Sequence, residues 1–381
     1  GNPVGKHWRN YEDGTKAFLA IHDSSGVLLE PVQEFYPNGQ LRAEYSIKDG
    51  KRDGVFKEWY ESGRPMIEYF YADGDFEGLQ LEYYLSGQMK KRAVYKDKTK
   101  EGLYEEWHEN GTLALKLVFD GNQKNGQASE WHPNGNLKVD AYFIADLPSG
   151  VQTEWFENGQ MKCRYEFHSG LKHGSQKEWA ENGDLLCEAF YENDQLHGCF
   201  KRFWPDHLLK EELEYQSGKK QGIHKIFYEN GTAQQFATFN DDLAEGAILN
   251  WYPDGSIQSH QFFQEGRPID EHITYFPKAF ANQTDHERIA HHIFYDENGL
   301  PHGEEKIFFS NGQLQLTAHY IHGQLEGPKK IFDAEGNLLQ KMSYCCNQLE
   351  GDYFEKFPEG NELTAYYVGN LKNGIQTIYF P

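Results

Sequence analysis

The chain has no apolar run of about 18 residues or more, so nothing in it reads as a membrane-spanning helix. It is short of positive charge: 37 Lys and Arg stand against 59 Asp and Glu, a formal net charge of -22. Nucleic acid and anionic membrane surfaces, which attract a positive field, are therefore poor partners, and a basic protein partner fits better. The plain alternative is a long surface kept monomeric by like charge. Cys163, Cys187, Cys199, Cys345 and Cys346 are odd in number and lack the C-x-x-C spacing of metal sites. There is no nucleophile elbow, no phosphate-cradling glycine loop and no zinc-type spacing, so no catalytic residue, cofactor or metal ligand is expected. No signal-peptide pattern is visible, and with Gly1 in first place the compartment stays open between cytoplasm and periplasm.

What is present is aromatic side chains, 24 Tyr, 26 Phe and 8 Trp, a mixture that favours strands. They recur. Gly54, Gly78, Gly102, Gly126, Gly150, Gly174, Gly198, Gly222 and Gly246 each follow the last by 24 residues, and the series resumes at Gly303, Gly327 and Gly351, then Gly374 after 23. Such a fixed period signals a repeat architecture. Five residues after nearly every boundary glycine stands a ring (Trp107, Trp131, Trp155), seventeen after it another (Phe119, Phe143, Phe167), and nine after it a second glycine, as in Asn110-Gly111 and Asn158-Gly159.

Asn-Gly between alternating aromatics predicts a hairpin. Pro37, Pro133, Pro253 and Pro358, two residues before the turn glycine, favour a three-residue loop made of a type I turn and a left-handed glycine. That loop sets Trp107 opposite Leu113, Trp131 opposite Leu137 and Trp155 opposite Met161. It sets Glu34, Glu82, Glu130 and Glu154 opposite Arg42, Lys90, Lys138 and Lys162 on the other face. The expected fold is all-β: stacked hairpins forming one long twisted antiparallel sheet, with equivalent residues about 9.6 Å apart and a length of roughly 130 Å. At that spacing Cys163 and Cys187, which occupy equivalent positions, are too far apart to bridge. Residues 1–31 read as a degenerate cap, 32–269 as regular hairpins, 270–302 as an irregular repeat with an insertion, and 303–381 as further hairpins ending in a cap.

These units, with Glu154 to Gly159 (EWFENG) and Phe227 to Gly231 (FYENG) at their centres, resemble MORN-variant repeats, and the chain is similar to the bacterial YwqK-type antitoxins. The resemblance runs from about Val32 onward. It implies a stacked-hairpin sheet that neutralises a toxin or effector by occlusion, and no catalytic residues. His207 at a turn-glycine position, Asp270 at a boundary-glycine position and Lys356 at a ring position depart from the pattern, and those units are expected to be distorted.

Two stripes are candidate contact surfaces for a basic partner. Six residues after the boundary glycine stand Tyr36, Tyr60, Tyr84, His108, His132 and Phe156, then Trp204, Tyr228 and Tyr252; Tyr and Trp are enriched at the energetic centres of interfaces. The competing reading makes them strand formers lying over neighbouring stems. Glutamates precede the first ring in seven successive repeats, and of these Glu58, Glu106 and Glu178 face Met66, Ala114 and Leu186, leaving them without a cross-strand cation. Nine extra residues between Asp270 and Gly303 place a loop near residues 278–290, which reads as a tolerated insertion or a partner-gripping segment. Its neighbourhood holds Asp285, His286, His291 and His292, but adjacent histidines in a strand point to opposite faces, which argues against a shared metal. A scaffold attaching to a membrane or envelope surface, and an enzyme using this histidine-bearing segment, are the other readings.

Overall fold

A computed structural model describes residues 3–278, 284–285 and 288–380. The chain divides into two units, Gly1–Leu185 with Tyr191–Asp194, and Leu186–Phe190 with Gln195–Pro381. Each is an antiparallel meander of hairpins, and among the described residues no α-helix occurs.

Strands Gly126–Trp131 and Leu137–Ile144 of the first unit show the design. The His132 N–H donates to the Asn136 carbonyl at 2.8 Å and the Gly135 N–H to the His132 carbonyl at 2.9 Å, which encloses a three-residue loop ending on Gly135 at φ 89°. Trp131 stands opposite Leu137, as Trp107 does Leu113 and Trp155 does Met161.

The expected partner of the glutamate is corrected. Glu130 stands opposite Val139, Glu82 opposite Lys91 and Glu154 opposite Cys163, because one residue of the returning strand is bulged out. A bulge puts two residues opposite one. Lys138 and Val139 thus share Glu130, and the ion pairs survive the shift: Lys138–Glu130 at 3.1 Å, Lys162–Glu154 and Lys90–Glu82 each at 3.4 Å, Arg42–Glu34 at 3.9 Å. The unit that is 23 residues long is the exception that explains the rest. From Gly351 to Glu362 its hairpin has no register shift, and Glu355 stands opposite Leu363. The missing residue is the bulge.

Successive hairpins are joined by two-residue turns in which both central residues are left-handed, for example Ala145 at φ 49° and Asp146 at φ 67°, a twist that matches the strands. The boundary glycine lies beyond this turn, where the ladder breaks. At Gly126 φ is 127°, and a Cβ there would meet the Val118 Cβ at 3.2 Å, so only glycine fits without displacement.

His207 and Asp270 take up the left-handed conformations of the glycines they replace, at φ 63° and 56°. The hairpin at His207 still closes, with the Trp204 N–H donating to Leu208 at 2.7 Å, but the turn is distorted as expected, since Asp206 is left-handed as well, at φ 60°. Within the segment read as a cap, Gly5–Asn10 pairs with Lys16–His22 and the same turn closes from Tyr11 to Thr15 at 2.8 Å. Among the described residues no disulfide forms; Cys163 is buried, and burial pushes its thiol up to about 11.

In the first unit the most buried cluster is Leu117, Phe119, Ala128 and Ala141, with Tyr104, Leu115, Val139 and Phe143 against it. By strand alternation these lie on the face that carries the glutamates, not on the face of the fifth-position tryptophans. The face read from sequence as merely charged therefore holds the core.

Candidate functional site

The glutamate stripe is anchored by hydroxyls of that core. Tyr45 donates to Glu34 at 2.9 Å, Tyr69 to Glu82 at 2.9 Å, Tyr165 to Glu178 at 2.6 Å, and Tyr104 to Glu106. Burial, reinforced by the adjacent carboxylate, pushes the Tyr45 hydroxyl up to about 12 and raises Tyr69, Tyr104 and Tyr165 likewise, so each stays a proton donor. Burial opposes ionisation of Glu82, but hydrogen bonds from Lys91 and Tyr69 outweigh it and hold its carboxyl below the usual range.

Glu58, Glu106 and Glu178 were expected to lack a cross-strand cation, which leaves room for other partners, and each has one. Arg42 approaches Glu58 at 4.0 Å, while Glu106 and Glu178 accept the tyrosines just named. Their opposite residues also differ: Glu58 faces Ile67 and Glu106 faces Leu115, with Met66 and Ala114 bulged beside them.

The ring stripe links each hairpin to the next. In the first unit Tyr36 donates to the Trp59 carbonyl at 2.9 Å, Tyr60 to Tyr83 at 2.8 Å and Tyr84 to Trp107 at 2.7 Å. His108 and His132 reach the Trp131 and Trp155 carbonyls at 2.9 and 3.0 Å. Phe156 has no polar atom and makes no such bond. In the second unit Trp204 donates to Phe227 at 3.0 Å, Tyr228 to Trp251 at 2.9 Å and Tyr252 to Tyr275 at 2.8 Å. Every polar-tipped ring at this position thus spends its donor on the chain 23 residues ahead.

The turn asparagines do the same at the rim. Asn110 Oδ1 accepts the Thr112 N–H at 3.0 Å while its Nδ2 donates to the Pro133 carbonyl at 2.7 Å; Asn134 caps Asn136 at 2.9 Å and donates to Glu157 at 2.8 Å. At the opposite rim Asn122 and Asp146 form reciprocal pairs with Lys100 and Lys124, N–H to carbonyl one way and N–H to side-chain Oδ1 the other. The repeat spacing is therefore written twice, once in rings and once in turns.

What stays free in the first unit is the opposite face. Val55 stands across from Phe70, and Leu79 and Leu103 across from Val94 and Val118. Val55, Phe70, Leu79, Leu103, Tyr142 and Val151 are between 37% and 47% exposed, an apolar stripe without cover. The mixed charges beside it are paired, Lys57 with Glu68 at 3.3 Å and Arg92 with Glu105 at 3.3 Å, and at the turns the exposed Asp73 pairs with Lys51 at 3.8 Å.

In the second unit the nine extra residues divide. The loop closed by Phe276 N–H to the Arg288 carbonyl at 2.7 Å holds eight of them, and the ninth lies in the turn Asp296–Leu300, closed at 2.9 Å over three residues. Arg288 is the side chain sequence reasoning missed. It is 1% exposed and donates to Phe276 O at 2.6 Å, Ile257 O at 3.0 Å and Asp285 Oδ1 at 2.7 Å, tying Asp285 and the closing pair Phe276–Arg288 to the turn before it. His291 reaches Glu305 at 2.9 Å and His292 reaches Glu271 at 2.8 Å, so the two histidines diverge as strand geometry requires; His286 lies outside the described residues.

A family model for the MORN repeat variant matches residues 31–49, 52–73, 76–97, 100–120, 124–145, 148–168, 172–193, 301–322 and 325–345. No curated protein matches the chain. Among solved structures, the crystal structure of TcdB2-TccC3-Cdc42 is similar at 8% identity and TM-score 0.15 over 98% of this chain and 27% of that one. The crystal structure of TcdB2-TccC3 is similar at 11% identity and TM-score 0.14 over 94% and 25%. The chain spans about a quarter of the length of these solved chains. At TM-scores this low the likeness bears on neither fold nor role.

Proposed function

The chain belongs to the MORN repeat variant family, and from that premise we propose that it is a non-enzymatic protein-binding repeat protein that neutralises a toxin or effector by covering it. The observation that carries the reading is the exposed apolar stripe of the first unit, Val55, Phe70, Leu79 and Leu103, on the face opposite the buried cluster. Contiguous exposed apolar surface rimmed by polar groups marks interaction sites. The occupant is a protein with an apolar patch set in basic surroundings, because the net charge of -22 favours a positive partner. The tyrosine and glutamate stripes hold the stack together, which moves the contact surface from the face expected in sequence to its reverse.

The test is capture and growth rescue against the product of the adjacent gene. Leu79→Asp with Leu103→Asp abolishes both rescue and binding, whereas Tyr60→Phe leaves both intact. Rescue that survives the double aspartate variant removes the apolar face as the contact. A scaffold role at a lipid surface predicts instead flotation with anionic vesicles, which the charge opposes.

A further inference from the structure

Two turns of the second unit, after Ile289–Tyr295 and after Leu314–Ile321, carry a donor set that the partner reading does not use. We propose that Asp296, His302 and His322 form a binding site for a divalent transition-metal ion of the Zn²⁺ type. Each offers one ligand atom, and these atoms lie within 4.8 Å of one another.

The construction is local and deliberate in its parts. Asp296 opens the turn that is one residue longer than its neighbours, and its side chain is only 8% exposed. Its Oδ1 accepts the Asn298 and Leu300 N–H groups at 2.9 and 3.0 Å, which fixes the carboxylate and leaves Oδ2 to face His322 Nδ1 at 2.6 Å. The His302 and His322 rings lie 4.9 Å apart. Among the described residues His302 Nδ1 meets only the His322 N–H, at a long 3.4 Å. A cation takes the place of the proton shared by Asp296 and His322 and draws on the second imidazole.

Neighbouring repeats show that the histidines are particular to this place. His302 precedes a boundary glycine and His322 opens the following two-residue turn. At the same two positions stand Glu77 with Asp97, and Glu245 with Glu265, where the carboxylate simply accepts the turn N–H at 3.0 and 2.9 Å. Replacing both acids by imidazoles keeps this contact, lengthened to 3.4 Å, and with Asp296 creates an N,N,O set. Such a set selects Zn²⁺, Cu²⁺ or Ni²⁺ over Mg²⁺ and Ca²⁺, with water completing the coordination. One repeat further on, Glu326, Cys345 and Cys346 form a second group of possible ligands, so the experiment separates the two.

The full chain, stripped with chelator, is titrated with Zn²⁺ alone by calorimetry and by its thermal midpoint. His322→Asn and His302→Gln are chosen as variants because asparagine tolerates the left-handed backbone at position 322, φ 45°. Binding in the micromolar range is expected, with about a 100-fold loss in either variant and in Asp296→Asn. The metal-free midpoints should be unchanged, and Mg²⁺ should produce no heat. The double variant Cys345→Ser with Cys346→Ser retains this binding. The proposal is overturned if the wild type takes up no Zn²⁺ below millimolar concentration, if the histidine variants bind as the wild type does, or if only the serine variants lose the ion. None of these results touches the partner reading, which concerns the other unit.

Discussion

Asparagine at the hairpin turn does two jobs that one substitution can separate. In Asn110→Asp the Oδ1 that accepts the Thr112 N–H at 3.0 Å survives, but the Nδ2 that donates to Pro133 O at 2.7 Å is replaced by an oxygen facing an oxygen. Asp254 shows that aspartate can fill the turn: it accepts the Ser256 N–H at 2.9 Å. A net hydrogen bond contributes about 1 kcal/mol. Asn110→Asp should therefore cost about 1 kcal/mol and Asn110→Ala, which loses both contacts, about 2. Because repeat proteins open piecewise, the assay is native-state amide exchange at Thr112 and Gly135 rather than a single melting curve. About 1 kcal/mol corresponds to roughly a five-fold faster opening. If Asn110→Asp exchanges at wild-type rates while Asn110→Ala does not, the asparagine is a turn cap only, and the link between hairpins is refuted.

Tyr84→Phe deletes the 2.7 Å bond to Trp107 and should destabilise the first unit by about 1 kcal/mol, read by urea titration of tryptophan fluorescence. The reverse exchange, Phe156→Tyr, should stabilise it by up to about that much, since the position then gains a donor directed at Trp179. Arg288→Ala leaves the Phe276 and Ile257 carbonyls without their buried donor and should cost about 3 kcal/mol locally, seen as fast exchange near the inserted loop. The second unit should lose stability in acid. Burial lowers the His224 and His272 pKa values, outweighing Glu211 beside His224 and the Phe262 carbonyl beside His272. A folded value below the unfolded one of about 6.5 means that stability is full above that pH and falls as pH drops toward the lowered values. Glutamine occupies the same repeat position at Gln80 and Gln176, so His224→Gln should fold and flatten the part of that slope visible in pH-dependent melting.

The repeat, the three-residue loop and the Trp131–Leu137 pairing were legible because each is fixed within a few residues of its own turn. The bulge was not, since a lysine at Lys138 satisfies Glu130 in either register; only the shorter last unit carried the signal, and that requires knowing which residue is absent. The faces were misassigned for a related reason. Ala128 and Ala141, both buried, are small and unremarked in a sequence crowded with rings, and burial there comes from neighbouring hairpins. The double use of Tyr84 and Asn110 was hidden because the acceptors are backbone carbonyls, which every sequence has. Arg288 left no pattern at all inside an insertion, and the meeting of Asp296 with His322 depends on one added turn residue.

Ser129 offers the most direct test of the whole account, since it stands between Lys116 of the preceding hairpin and Asp140 of its own. In a cysteine-free background, Ser129→Cys should form a disulfide with Lys116→Cys in one protein and with Asp140→Cys in another. Partners moved by one residue, at positions 117 and 141, point to the other face and should not be trapped. Trapping at 117 or 141 in preference, or on one side only, would contradict the stacked-hairpin register on which the candidate surface rests.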